Sequence, residues 1–330
     1  MNLHRYLFAL LPLAYASSDV FGQARFGTLT DPVEKNHTTR SIENLKDAQE
    51  LTTDDVRKVI VENFEKMYIT AGSGLRLGGD QTAKDIMYEA QVFANLNWLR
   101  PHDENVGLKQ WLDIPIRIQV RQLTSESKPV RTPSYNPGLR WYGWYKDQGD
   151  KALTYYSVGL FHYSNGQDGP STLADGSVNT QNGSFNTNYI ELSGSRTSER
   201  FWIQWMSIEL RQNFVGTWEP FQREQYEKGH VTAKARSERF LMFAQPSQIG
   251  LSGTYSYGRT FVVKNDVDPT RNVDATLRDN LSATLELNVK PTGWQDIAFY
   301  LRYDIGYDYY NINFQHRMNR IQLGVSSTNF

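Results

Sequence analysis

"DIPIRIQVRQ", Asp113 to Gln122, sets Ile114, Ile116, Ile118 and Val120 on one parity and Arg117, Gln119 and Arg121 on the other. Successive side chains of a strand point to opposite faces, so the stretch predicts a strand with one apolar and one charged face. A dry sandwich core would not take consecutive cations, because an unpaired buried charge is costly. A hydrated or ion-paired barrel lumen accommodates them, with lipid covering the apolar face. The pattern recurs in "LSATLELNVK" (Leu281 to Lys290), where Leu281, Ala283, Leu285, Leu287 and Val289 alternate with polar residues. It recurs again in "IAFYLRYDIGYDY" (Ile297 to Tyr309), where Ile297, Phe299, Leu301, Tyr303 and Ile305 oppose Arg302, Asp304 and Asp308.

Further strand candidates lie near residues 86–99, 138–147, 152–164, 187–195, 201–212, 235–245, 250–262 and 314–326. Segments near ten residues, separated by Gly, Asn, Asp and Pro, match strands that cross a bilayer at a tilt. The predicted fold is all-β: an antiparallel transmembrane β-barrel of about twelve strands over residues 86–330. A soluble β-sandwich is the competing architecture. It would leave the inward charges unexplained.

Composition agrees with a barrel. Aromatics are abundant, with 19 Tyr, 16 Phe and 8 Trp, yet the mean hydropathy is −0.58. No apolar run reaches the roughly 18 residues of a spanning helix. A net charge of −1 provides no cationic surplus for nucleic acid, and the absence of cysteine excludes disulfides and thiolate metal sites. At the start of the chain, His4 and Arg5 precede the apolar run Tyr6 to Ala16, which ends in the small-x-small pattern Ala14-Tyr15-Ala16. This reads as an export signal over residues 1–24, cleaved after Ala16 or Ala24. Residues 25–85 are expected to form a short soluble extension with one helix, Thr52 to Tyr68, followed by the linker "AGSGLRLGGD" (Ala71 to Asp80). Alternating Ile321, Leu323 and Val325 ahead of Phe330 resemble the terminal assembly signal of bacterial outer-membrane barrels.

Chemistry concentrates in "VGLFHYSNGQDG" (Val158 to Gly169). Here His162 and Ser164 share parity with Tyr156, Val158 and Leu160, so they face lipid. A serine becomes nucleophilic when an imidazole takes its proton, and that imidazole needs a third group on its other nitrogen. A neutral Asn carboxamide suits this role at a lipid boundary, where another buried charge is costly. On the next strand, "SFNTNYIELSG" (Ser184 to Gly194), Asn186 and Asn188 share parity with Ile190 and Leu192. Both asparagines therefore face the same side. The bland alternative is an ordinary solvated turn, for which Ser-Asn-Gly is a common sequence.

Three motifs, in order, resemble the outer membrane phospholipase A family, a group of twelve-stranded barrels that hydrolyse glycerophospholipids. "HYSNG" (His162 to Gly166) is similar to that family's His-x-Ser-Asn-Gly. "SESKPVRTPSYNP" (Ser125 to Pro137) is similar to its Ser-x-Pro-x-Arg…Asn-Tyr-x-Pro stretch, and "SFNTN" (Ser184 to Asn188) to its Ser-x-x-x-Asn. The final "INFQHRMNRIQLGVSSTNF" also resembles its last strand, and the loose likeness covers most of residues 86–330. The resemblance implies Ser164 as nucleophile, His162 as general base and Asn188 as orienter, with Asn186 the alternate. It implies the Gly166 N–H as oxyanion donor, assisted by a calcium-bound water. It also implies Ca²⁺ held by Ser184, the Gln167 carbonyl and Ser127 of a second copy, hence an active homodimer acting on membrane glycerophospholipids in the bacterial outer membrane. This chain departs from the family in a longer loop, Asp168 to Gly183, and in Thr187, where the best-known members carry Trp. A non-enzymatic porin or structural barrel is the alternative function.

Overall fold

A computed structural model describes Ile60 and residues 66–71, 86–99, 109–123, 130–147, 152–174, 178–197, 202–214, 222, 225–243, 245–263, 271–274, 280–294, 296–311, 314 and 317–327. Its wall comprises β1 (Tyr68–Ala71), β2 (Ile86–Leu99), β3 (Lys109–Leu123), β4 (Val130–Asp147), β5 (Ala152–Ser164), β6 (Asn186–Thr197), β7 (Trp205–Asn213), β8 (Gly229–Met242) and β9 (Gln245–Tyr257). After a separate hairpin of β10 (Thr260–Val263) and β11 (Arg271–Asp274), the wall resumes with β12 (Leu281–Val289), β13 (Ile297–Tyr307) and β14 (Arg317–Ser327). Chain neighbours pair antiparallel throughout, β9 pairs β12, and β1 joins β14 to β2 to close a twelve-stranded barrel. Closure removes the exposed strand edges that an open sheet would present.

The expected alternation holds along the wall. Val120, Val158, Leu160, Leu192, Ile208, Leu251, Leu285, Phe299 and Leu323 form an exposed apolar outer surface. Inside, Glu89, Arg121, Arg140, Asp304, Asn288, Arg320 and Gln322 are buried. The inward charges pair across strands: Arg121 meets Glu89 at 2.7 Å and Asp308 at 2.6 Å, while Arg320 meets Glu89 at 3.1 Å. Lys234 reaches Glu209 at 2.6 Å, and within β13 Arg302 reaches Asp304 at 2.9 Å. Pairing of this kind is what makes a charged lumen tolerable.

Connections at one end are short, as between Met242 and Gln245, whereas the other end carries the long 165–185 and 258–280 connections. Outer-membrane barrels keep short turns on the periplasmic side and long loops outside. The His162–Ser164 end of β5 belongs to the long-loop rim.

The wall departs from the sequence expectation at the candidates 235–245 and 250–262, which run past strand ends into the β8–β9 connection and the β10 hairpin, and three further departures bear on the lumen. Residues Tyr68–Ala71, assigned from sequence to a helix end and a linker, form β1, pairing Tyr68 with Ser326 and with Gln91. Four residues are too few for period-two alternation to stand out. Of the expected helix, Ile60 is helical and fully buried among Trp111, Tyr142, Trp144, Leu153, Tyr155 and Trp205. Lys66 donates to Gln248 Oε1 at 2.6 Å. These two positions ahead of β1 thus pack within the barrel instead of beyond it. The rest of that segment, like the 1–24 signal, lies outside the described residues.

The third departure is at the end of β13, expected to run to Tyr309 but leaving the wall after Tyr307. Asp308 Oδ1 accepts from the Tyr310 N–H at 2.9 Å, and Asn311 takes a left-handed φ of 26°. The segment turns into the lumen. Tyr163 on β5 donates to the Tyr309 carbonyl at 2.9 Å, and Tyr310 donates to the Thr132 carbonyl at 2.9 Å. Phe314 packs beyond them against Phe185 and Tyr226.

Candidate active site

Strands β5 and β6 place the chemistry. Ser164 lies directly opposite Asn186, and His162 directly opposite Asn188. Opposed residues of an antiparallel pair hold their Cβ atoms about 5 Å apart, within reach of an imidazole and a carboxamide. His162 Nδ1 and Asn188 Oδ1 are 2.9 Å apart. Oδ1 can only accept, so this contact places the proton on Nδ1 and leaves Nε2 as the acceptor. His162, Ser164, Asn186 and Asn188 are all half-buried on the outer face, beside exposed Val158, Leu160 and Leu192. Parity alone left both asparagines open as partners for the imidazole. Register brings Asn188 to the histidine and Asn186 to the serine.

The inner face behind this pair is tightly packed. Phe161 and Tyr189, an opposed pair one residue along, stack with centroids 5.0 Å apart. The Arg211 guanidinium lies 3.6 Å from the Tyr189 ring centroid. Such stacks hold β5 and β6 in register beneath the outward side chains. Thr187 is wholly buried on this face, and the Phe161 ring occupies the space where Gly138 and Gly159 lack side chains.

Beyond Ser164 the chain turns at Gly166, whose φ of +65° is left-handed and disfavours any other residue. Tyr135, the β4 partner of Ser164, sets its ring 3.3 Å from the position a Gly166 Cβ would take. Tyr135 also stays exposed on the outer wall. Its place beside Ser164 was not legible from sequence, because lateral neighbours depend on the β4–β5 register.

The long loop is stapled back to this turn. Gly169 and Gly183 form a parallel bridge, and the Ser184 N–H donates to the Gly169 carbonyl at 2.9 Å. Asn179, 4% exposed, donates to the Pro170 carbonyl and to Asn182 Oδ1, each at 2.9 Å. Ser171 Oγ donates to the Ser184 carbonyl at 2.9 Å. Half-buried Gln167 and Ser184 therefore sit on neighbouring segments. Hydroxyl and carbonyl oxygens are the hard donors that Ca²⁺ takes. Among the described residues no group of three His, Cys, Asp or Glu side chains offers a carboxylate- or imidazole-based metal centre. Ser127, the third expected ligand, lies outside the described residues.

Neighbouring loop chemistry buttresses β6. Gln222, fully buried, donates to the Asn186 carbonyl at 2.9 Å, and the Phe214 N–H donates to the Asn188 carbonyl at 2.7 Å. Glu227 accepts from His230 at 2.8 Å and from Arg259 at 3.0 Å. Burial opposes its ionisation, but the His230 and Arg259 contacts outweigh burial and hold its carboxyl well below the usual carboxylate range.

No family model and no curated protein matches the chain by sequence. Solved structures do match. Outer membrane phospholipase A from Escherichia coli superposes with a TM-score of 0.52 at 14% identity, over 81% of this chain and 91% of that one. The chain has the outer membrane phospholipase A fold. An active-site mutant of the same Escherichia coli protein gives the same values. The Salmonella typhi outer membrane phospholipase dimer with bound calcium matches at a TM-score of 0.53 and 14% identity, over the same shares. At this identity the likeness is one of barrel architecture.

Proposed function

We propose that this chain is a calcium-dependent outer-membrane phospholipase A, exported by its N-terminal segment and active as a homodimer. The observation that carries the proposal is the His162–Asn188 hydrogen bond on the lipid-facing wall, one step along β5 from Ser164 on the same face. Ser164 Oγ would attack the acyl carbonyl of a glycerophospholipid as His162 Nε2 takes the hydroxyl proton. His162 then returns that proton to the departing alcohol, and water hydrolyses the acyl-enzyme by the same route. Asn188 keeps the imidazole in one tautomer and orientation without bringing a second charge to the lipid boundary.

The Gly166 N–H is the proposed oxyanion donor, the kind of group that supplies a large share of acyl-transfer catalysis. Calcium, held by Ser184 Oγ, the Gln167 carbonyl and Ser127 of a second copy, would add positive charge near the developing oxyanion. Val158, Leu160 and Leu192 provide an apolar surface for the acyl chain. Dimerisation would complete the cation site, so an isolated monomer could rest inactive among its own substrates. A porin is disfavoured by a lumen crossed by Tyr163, Tyr309 and Tyr310 and lined with paired charges around a cavity of about 370 Å³.

Treatment with a long-chain sulfonyl fluoride, followed by peptide mass spectrometry, tests the nucleophile. A calcium-promoted adduct on Ser164, missing in His162→Ala, is expected. Modification elsewhere, or none, overturns the assignment.

A further inference from the structure

We infer that Asn165 is a positioning residue that locks the nucleophile turn to the segment carrying Ser184, so that both halves of the candidate site are held as one unit. The inference rests on the esterase reading above and deepens it. Asn165 follows Ser164 at a strand end, where an asparagine usually faces solvent, yet it is only 2% exposed. A polar side chain buried so deeply needs partners, and both ends of its amide have them. Nδ2 donates to the Gly183 carbonyl at 2.8 Å, while Oδ1 accepts from the Phe185 N–H at 3.0 Å and the Gln167 N–H at 3.3 Å. Its own N–H donates to the Phe185 carbonyl at 3.1 Å.

One amide thus spans the two segments. The bond from the Gln167 N–H closes an Asx turn around Gly166, fixing the peptide that bears the proposed oxyanion donor. The Gly183 and Phe185 bonds bracket Ser184 from either side. Only an amide of this length offers a donor to Gly183 together with acceptors for Gln167 and Phe185: aspartate lacks the donor, and serine lacks the reach.

The barrel itself does not depend on these bonds. β5 and β6 stay paired from Thr154–Arg196 to Ser164–Asn186, and the loop keeps its own staples through Asn179 and Ser171. Loss of Asn165 should therefore free the turn relative to Ser184 while leaving the wall intact. Asn165 touches no reacting atom. Its effect would pass through Gly166, Gln167 and Ser184.

Backbone hydrogen exchange in detergent micelles, combined with kinetics, tests this. In Asn165→Ala the Gln167 and Phe185 amides should lose protection while those of Phe161 and Tyr189 retain it. Because displacement by about 1 Å can cost 10²-fold in rate, kcat should fall roughly 10²-fold with KM nearly unchanged. The calcium concentration for half-maximal activity should rise as well. Asn165→Asp, which keeps the acceptors and loses the donor, should fall between Asn165→Ala and wild type in both readouts. Unchanged protection at Gln167 and Phe185 in Asn165→Ala would overturn the inference, as would activity that only tracks the folded fraction at an unaltered calcium midpoint. An inactive wild type would instead overturn the esterase reading, leaving exchange to decide the positioning.

Discussion

His162 and Asn188 face each other across β5 and β6, with Nδ1 2.9 Å from Oδ1, on a surface otherwise given to lipid contact. A polar pair there has a desolvation cost that an apolar pair would avoid. The cost is offset functionally if the substrate is the surrounding lipid. Asn188→Ala should lower kcat by on the order of 10²-fold, because the imidazole loses the group that fixes its tautomer. Asn186→Ala, which leaves the His162 contact intact, should retain most activity. Steady-state hydrolysis of a micellar phospholipid separates the two; the opposite ranking would assign the orienting role to Asn186.

Cation dependence should follow the Ser184 hydroxyl. Chelation is expected to abolish wild-type hydrolysis and excess Ca²⁺ to restore it, while Ser184→Ala should need a higher Ca²⁺ concentration for half-maximal rate. Calorimetric titration of the cation checks the same point without substrate. Equal affinity in Ser184→Ala and wild type would remove Ser184 from the ligand set.

The lumen supports a stability prediction. Glu89 accepts from Arg121, Arg320, Tyr68 and Tyr309 and is wholly buried. Replacing it with Gln leaves two guanidinium groups without their shared carboxylate, for an expected loss of about 3 kcal/mol. Urea unfolding in micelles, followed by tryptophan fluorescence, measures this. A midpoint matching wild type would mean the network contributes little to the fold.

Glu227 supports a pH prediction. A carboxyl whose folded pKa is depressed stabilises the native state above its unfolded pKa, near the ordinary glutamate value of 4.5, and loses that contribution as pH falls through the folded value. The advantage of wild type over Glu227→Gln should be fully present at pH 7 and shrink progressively as pH falls below about 4.5. Parallel thermal melts across that range check the sign. An advantage that grows on acidification would contradict the assigned contacts.

Much of this architecture could be read from alternation. Ile114 to Val120, Leu281 to Val289 and Ile297 to Ile305 each faced lipid on their apolar parity, because a barrel wall has only two sides to offer. Alternation fades where strands are short or end early, which explains why Tyr68–Ala71 passed for a helix end and the start of a linker, and Asp308–Tyr309 for wall. It also says nothing about register. Asn186 and Asn188 share a face, and only the β5–β6 pairing sets one against Ser164 and the other against His162. Asn165 looked like a turn residue for a related reason: its partners lie across a loop whose course the sequence does not encode locally.

The side chains that cross the lumen give a direct contrast with a porin. Reconstituted into planar bilayers, the wild type should show no stable conductance steps. Regular ion-conducting openings would restore the channel reading.

Fatty-acid release from phospholipid–detergent micelles, compared for wild type and Ser164→Ala with and without Ca²⁺, bears most directly on the central claim. Calcium-dependent release by wild type and none by Ser164→Ala is the expected result. Release that persists without Ca²⁺ and is unchanged in Ser164→Ala would contradict it.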